Sequence, residues 1–169
     1  MRASLPSSRR LLLLPAAFLL FAPFLPSQDH TAELAAKFDR ETNPVHKAKL
    51  MPDLGNGEFQ EIQTQAAAGN YEAALKTLAL YHNQVAATEK ALDATGADPA
   101  KHSSGYRQLE ISVREALRRL DDIDFSLPVD QKKAFTDIHD QLQQTDQRLL
   151  RELFPRDHPP ATSPAAPHP

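Results

Sequence analysis

The chain has 169 residues, a formal net charge of −3 and no cysteine. The lack of cysteine excludes disulfides, thiolate metal sites and a cysteine nucleophile. The acidic balance argues against nucleic-acid binding, which requires clustered positive charge, and a chain of this length is typical of one domain.

The first 27 residues are predicted to be a secretory signal peptide. Arg2, Arg9 and Arg10 precede an apolar run over residues 11–22, and Ser27 lies at the junction with a polar segment. A charged start, a short apolar run and a small residue before a polar junction are typical of such signals. The run is shorter than the ~20 residues of a membrane-spanning helix. We therefore expect cleavage near Ser27, export to the periplasm or the extracellular space, and no stable membrane insertion afterwards, with a retained anchor as the alternative.

After residue 27, apolar residues recur three and four positions apart, which is the helical period. This spacing predicts an all-α domain over residues 28–154. The first predicted helix covers residues 31–42, and its apolar face carries Leu34, Ala35 and Phe38.

The next segment is predicted to form two short helices separated by a turn. Asn43 and Pro44 are typical of an N-cap and a first-turn proline, so a helix starts there and stops at Pro52. Residues 54–57 contain two glycines and an asparagine, which predicts the turn. A second short helix, with Phe59, Ile62 and Ala66 on its apolar face, follows.

That helix is predicted to end at Gly69 in a left-handed conformation, and the longest helix follows over residues 71–94. The stretch from Gly69 to Leu78 resembles the turn and second helix of a tetratricopeptide repeat, where a small residue such as Ala74 lets two helices pack closely. Tyr81 stands where that family has a second small residue, and no second copy appears at the ~34-residue period. The resemblance implies a single helical hairpin.

The rest of the predicted domain contains two more helices. A polar loop over residues 97–105 leads to a helix over residues 106–125, and after a break at 126–130 the last helix runs to about residue 154. The result is an antiparallel bundle or a set of stacked hairpins, with three long helices and two or three shorter ones. The seven-residue rhythm of residues 71–94 and 135–153 leaves homodimerisation open. Residues 155–169 include six prolines and are predicted to be a disordered Pro/Ala-rich tail.

Charged residues on the helix at 106–125 suggest an anion site built on Arg114, Arg118 and Arg119. The competing interpretation is a solvent-exposed helix face on which these arginines form pairs with acids three or four positions away. We favour the ion-paired face. The acids concerned are Glu110, Glu115 and Asp122.

Metal-ligand patterns are weak in this sequence. Asp121, Asp122 and Asp124 could supply oxygen ligands, but no glycine turn accompanies them as in a calcium loop. His82 and His139 are interpreted as residues flanking the apolar stripes, and no two histidines share one helix face at metal-ligand spacing. No catalytic, cofactor-binding or metal residue is therefore assigned, although a metal- or ligand-binding bundle using these histidines and aspartates stays an alternative. The remaining histidines are His30, His46, His102, His158 and His168.

The run Leu127-Pro128-Val129-Asp130-Gln131 is similar to the Leu-Thr-x-x-Gln signature of small, all-helical periplasmic chaperones of the Spy/CpxP type. Pro128 replaces the threonine that caps a helix in that family, so Asp130 or Ser126 would have to act as the cap. The resemblance implies an ATP-independent chaperone that holds clients on a helical cradle.

Together these features predict an exported, non-enzymatic helical protein that binds another protein or a polypeptide. The chaperone and the metal- or ligand-binding bundle are the alternatives, and a hydrolase or lyase is the least supported class because no nucleophile, phosphate loop or metal pattern appears.

Overall fold

A computed structural model describes residues 26–155, so the predictions for residues 1–25 and 156–169 lie outside the described residues. Residues 26–155 contain no β-strand, which confirms the all-α fold class. The five helices are α1 (Pro26–Arg40), α2 (Pro44–Ala67), α3 (Tyr71–Asp93), α4 (Ser104–Asp124) and α5 (Val129–Leu153). None of these five helices is long and apolar enough to cross a membrane.

Helices α2 to α5 form a helical bundle, which confirms that part of the fold prediction. Helix α2 contacts α3 and α4, and α5 completes the bundle through contacts with α3 and α4. Helices α2 and α4 run parallel, because Val45 meets Gly105 near their first turns and Asn56 meets Arg119 further along. Among the described helices, α1 contacts only α2 and therefore lies outside the four-helix body.

Helix α2 is continuous from Pro44 to Ala67, so the predicted stop at Pro52 and the predicted turn over residues 54–57 are wrong. Met51, Leu54 and Phe59 are fully buried and continue the helical spacing through this segment. Each such burial contributes ~1.5–3 kcal/mol, whereas a glycine inside a helix costs ~1 kcal/mol and a proline ~3 kcal/mol. Packing of the apolar face therefore outweighs the local turn signals.

The two glycines of this segment allow close helix contacts instead of a turn. A Cβ atom added to Gly55 would lie 2.8 Å from Cε2 of Tyr81, and one added to Gly57 would meet the side chain of Thr31. Tyr81 thus occupies the position where the repeat-like hairpin would have a small residue, and Gly55 of the facing helix makes room for it.

The predicted start of this segment at Asn43 and its predicted end at Gly69 are confirmed. The Asn43 side chain accepts hydrogen bonds from the backbone N–H groups of Val45 and His46, at 3.0 and 3.2 Å. Gly69 has a φ of +78°, which places it in the left-handed region expected of a residue that ends a helix.

The core is mainly aliphatic, and two of its buried aromatic residues, Phe59 and Tyr81, pack against each other. The rings of Phe59 and Tyr81 meet edge to face with centroids 5.2 Å apart. The Tyr81 hydroxyl donates to the backbone oxygen of Ser112 at 3.0 Å and lies 2.9 Å from its Oγ. This buried phenol therefore links α3 to α4 and satisfies its polar atom inside the core.

Candidate functional site

The three candidate arginines of α4, Arg114, Arg118 and Arg119, form ion pairs with neighbouring acids, which agrees with the ion-paired interpretation. Glu115 pairs with Arg118 at 2.6 Å and with Arg119 at 3.1 Å, so Arg118 takes Glu115 where the sequence suggested Asp122. Arg119 also donates to Oδ1 of Asn56 on α2 at 2.5 Å. A pocket of about 350 Å³ lies beside these groups, between α2 and α4. Each arginine has an acidic partner, but Arg118 and Arg119 share Glu115, so the three arginines beside the pocket outnumber the two acids that pair with them.

The prediction that the charged residues of α4 face solvent is wrong for Glu110. It is only 5 % exposed, and Arg114 lies 3.3 Å from its Oε1. Burial raises the pKa of Glu110, with Arg114 opposing the shift and Asp146 of α5 adding to it. Asp146 is half-buried, and burial raises the pKa of its carboxyl as well. These two acids are part of the contact between α4 and α5.

The histidine and aspartate candidates do not form a metal centre. Nε2 of His139 lies 3.2 Å from Oδ1 of Asp121, and Nδ1 lies 3.6 Å from Oδ1 of Asp140. Within residues 26–155, no group of three or more histidine, aspartate or glutamate side chains comes close enough to hold a metal ion. His82 is half-buried on α3, which fits its interpretation as a residue beside the apolar stripe.

The start of α5 differs from the expectation drawn from the chaperone signature. Pro128 is the N-cap residue, and no described side chain caps the helix there. Ser126 donates its hydroxyl to the backbone oxygen of Ile123, at the end of α4, and Asp130 lies within the first turn of α5. Neither residue takes the capping role that the resemblance required.

A groove crosses the surface of α2, with α1 on one side and α3 on the other. The backbones of α1 and α3 do not pack against each other in the described part of the chain, and an open space lies between the two helices above α2. The groove has a volume of about 550 Å³ and follows α2 from Gly57 to Gln65, about 12 Å along the helix axis. Leu80 lines it and is 50 % exposed. The other lining residues used below are Ala32, Ala35, Glu58, Glu61 and Thr77.

The wall formed by α1 lies as close to α2 as a glycine allows. The side chain of Thr31 occupies the space where a Cβ atom of residue 57 would be, and both residues line the groove. Phe38, near the other end of α1, is 3 % exposed and has Nζ of Lys47 4.4 Å from its ring centroid. The contact between α1 and α2 is therefore fixed at both ends of the wall.

Glu58 lies at the base of this groove and is 4 % exposed. Its Oε1 accepts a hydrogen bond from Nε2 of Gln84 at 2.9 Å. Its Oε2 is buried and has no hydrogen-bond partner among the described residues, and the same holds for Oε1 of Gln84. Burial raises the pKa of Glu58 to about 7, and the hydrogen bond from Gln84 lowers it by a smaller amount.

Sequence reasoning missed Glu58 and Gln84 as interior residues, although a signal for both exists. Glu58 lies three residues after Gly55 and four before Ile62, which are both buried, and Gln84 lies three after the buried Tyr81. The helical spacing therefore places both polar side chains on the faces that pack together.

Glu89 is a second buried glutamate, but it has a cationic partner. It is 5 % exposed, and Nε of Arg148 on α5 donates to its Oε1 at 2.6 Å, while Nη2 of the same arginine donates to its Oε2. This two-point pairing satisfies both carboxylate oxygens, so Glu89 stabilises the contact between α3 and α5 and offers nothing to a ligand.

The fold and these contacts define a small helical bundle with an open groove on α2. Comparison with protein-family models, with curated proteins and with solved structures finds no match to this chain.

Proposed function

We propose that this chain is an exported, non-enzymatic binding protein that holds an amphipathic helical segment of another polypeptide in the groove between α1 and α3. The single observation that carries the proposal is the groove itself, in which the half-exposed Leu80 faces open space above α2. The export part of the proposal is supported by the charged and apolar pattern of the first 27 residues.

The dimensions of the groove favour a helix as its occupant. About 12 Å of helix axis corresponds to roughly two turns, which is the length over which a bound helix presents anchor residues at positions i, i+3 or i+4, and i+7. A helix seated there would cover Leu80, Ala32 and Ala35 and would join α1 to α3.

Charge indicates which helical segments fit. Two carboxylates, Glu58 and Glu61, line the groove, and none of its described lining residues is lysine, arginine or histidine. The surface is therefore complementary to a segment with positive rather than negative charge.

The test measures binding of a labelled amphipathic peptide made of leucine, alanine, glutamine and lysine, by fluorescence anisotropy. Wild-type protein should bind the peptide saturably. Ala32→Trp places a large ring in the groove and should weaken binding at least tenfold, a loss of about 1.4 kcal/mol. Ala32 is exposed, so the thermal stability of the variant should change little.

The matched control is Ala87→Trp, which changes an exposed alanine of α3 outside the groove. It should bind the peptide as the wild type does. Absence of saturable binding to wild-type protein, or equal weakening by the two tryptophan variants, would refute the proposal.

The chaperone alternative predicts an additional activity besides peptide binding. A holdase should suppress aggregation of an unfolded client without ATP at substoichiometric amounts, and Ala32→Trp should lose this activity. Peptide binding without suppression of aggregation would identify a binding module instead of a chaperone.

A further inference from the structure

We propose that Glu58 is the anchor that selects the occupant of the groove, by forming an ion pair with a lysine or arginine side chain on the apolar face of the bound helix. This inference rests on the proposed function, because it assigns the chemistry of the segment that the groove accepts. It names one residue of this chain as the source of specificity.

The first observation is the unused hydrogen-bonding capacity of the carboxyl group. Gln84 occupies Oε1 of Glu58, while Oε2 is buried and has no hydrogen-bond partner in the region from residue 26 to 155. A buried carboxylate oxygen without a donor costs free energy, and a donor from a ligand would remove that cost on binding. Oε2 of Glu58 can therefore accept a hydrogen bond from a ligand, because no described residue of this chain donates one.

The second observation is the charge around the site. Glu58 lines the groove, and none of the described lining residues is lysine, arginine or histidine, so the groove attracts an incoming positive side chain and holds no described cation that would compete with it. The raised pKa of Glu58 reflects the same situation, because burial without a nearby cation disfavours the charged form. An arriving ammonium or guanidinium group would favour the charged form again.

The third observation is a comparison within the molecule. Glu89 is buried to a similar depth, and there Arg148 saturates both carboxylate oxygens. Helix α5, which carries that arginine, does not reach α2 within the described bundle. A bound segment would thus provide for Glu58 what α5 provides for Glu89.

Binding in this scheme includes a rotation of the Glu58 side chain toward the groove that it lines, which exposes Oε2 to the incoming cation. The ion pair forms in a site largely screened from water, where it is stronger than on the surface. Segments with an aspartate or a glutamate at the same position would place like charges together and would be rejected.

The experiment compares two peptides that differ in one charge. Both are amphipathic helical peptides of leucine, alanine and glutamine, and one carries a central lysine on its apolar face where the other carries acetyl-lysine. Wild-type protein should bind the lysine peptide about tenfold more tightly than the acetyl-lysine peptide. Glu58→Gln should reduce this ratio to about one, through loss of affinity for the lysine peptide alone.

Glu61→Gln is the matched control, since it also removes a groove carboxylate from α2 and should keep the tenfold ratio. Equal affinity of wild-type protein for the two peptides would overturn this inference and leave the proposed function standing. Binding of neither peptide would overturn both. If Glu58→Gln does not fold, the ratio of the two peptide affinities measured with wild-type protein still tests whether the groove selects a positive charge. If the variant folds and the ratio is unchanged, Glu58 has only a structural role.

Discussion

Two glutamates of this protein are buried to nearly the same extent and have opposite surroundings. Glu89, between α3 and α5, meets the guanidinium of Arg148 with both oxygens, whereas Glu58, between α2 and α3, meets one amide N–H of Gln84. Their exposed fractions are 5 % and 4 %. A cationic partner favours the charged form of an interior carboxylate, whereas burial without one disfavours it. At the contact between α3 and α5, both oxygens of Glu89 have hydrogen-bond partners. At the contact between α2 and α3, Oε2 of Glu58 has none among the described residues, which leaves room for a ligand.

The largest expected effect on stability follows from removing the ion pair between Arg148 and Glu89. Arg148→Met should lower the free energy of unfolding by about 3 kcal/mol, because it leaves the Glu89 carboxylate buried without a cation. The expected value lies at the low end of the usual range because half of the Arg148 side chain is exposed to water. Urea unfolding at neutral pH measures the loss. Arg151→Met, an exposed arginine of the same helix, should change stability by less than about 0.5 kcal/mol, and an equal loss in both variants would contradict the pairing.

The second effect is a dependence of stability on pH that arises from Glu58. Its pKa is about 7 in the folded protein, raised chiefly by burial from 4.5, so the folded state binds more protons than the unfolded state between these values. Stability contributed by this group is therefore present below pH 4.5 and decreases as the pH rises toward and past 7.

In Glu58→Gln this decrease should be smaller by about 2 kcal/mol, measured as the difference in unfolding free energy between pH 5 and pH 8. Glu110, Asp146 and Glu152 also have raised pKa values, so part of the decrease should persist in the variant. Identical pH profiles for variant and wild type would show that Glu58 is hydrated or paired in solution.

A smaller effect should follow from removing the one donor that Glu58 has. Gln84→Leu should cost about 1 kcal/mol and should raise the pKa of Glu58 further, because the hydrogen bond from Gln84 favours the charged form. Carboxyl chemical shifts followed by NMR through the titration would measure the shift. Gln143→Leu, on the exposed face of α5, is the control and should leave the Glu58 titration unchanged.

The smallest effect on global stability is expected at the wall of the groove. Gly57→Ala gains about 1 kcal/mol of helix propensity in α2, but its Cβ meets Thr31 and forces α1 outward. Since α1 contacts only α2 among the described helices, the unfolding free energy should change by less than about 1 kcal/mol. Amide hydrogen exchange in α1 should nevertheless become faster. The double variant Thr31→Ala/Gly57→Ala should slow that exchange again, and unchanged exchange in Gly57→Ala would show that α1 is not held by this contact.

The helices α3, α4 and α5 follow from the sequence to within two residues at most of their ends, because apolar spacing and end signals such as Gly69 agree there. Helix α2 does not, because Pro52 and the glycines at 55 and 57 indicate a break while the buried residues around them continue the helix. Local residue preference is a weak effect that packing overrides, and here the partners that override it are Tyr81 and Thr31 on other helices.

The groove was less accessible to sequence reasoning than the fold. Its walls depend on how α1 and α3 pack on α2, and no single segment records that geometry. The spacing of Glu58 within α2 predicts that its side chain faces the interior. The sequence does not indicate whether a positively charged side chain from another helix pairs with it there. The partner of Glu89 illustrates the reason, since Arg148 lies on a helix 59 residues further along the chain.

The buried phenol that joins α3 to α4 has a practical consequence. The chain contains three tyrosines and no tryptophan, so its near-ultraviolet absorption and its fluorescence are dominated by tyrosine. Burial, more than any neighbouring charge, raises the pKa of the Tyr81 hydroxyl, so this ring resists conversion to phenolate while it lies buried between the two helices. The part of the tyrosinate absorption that Tyr81 contributes thus provides a built-in optical marker of core opening, with no dye or inserted chromophore.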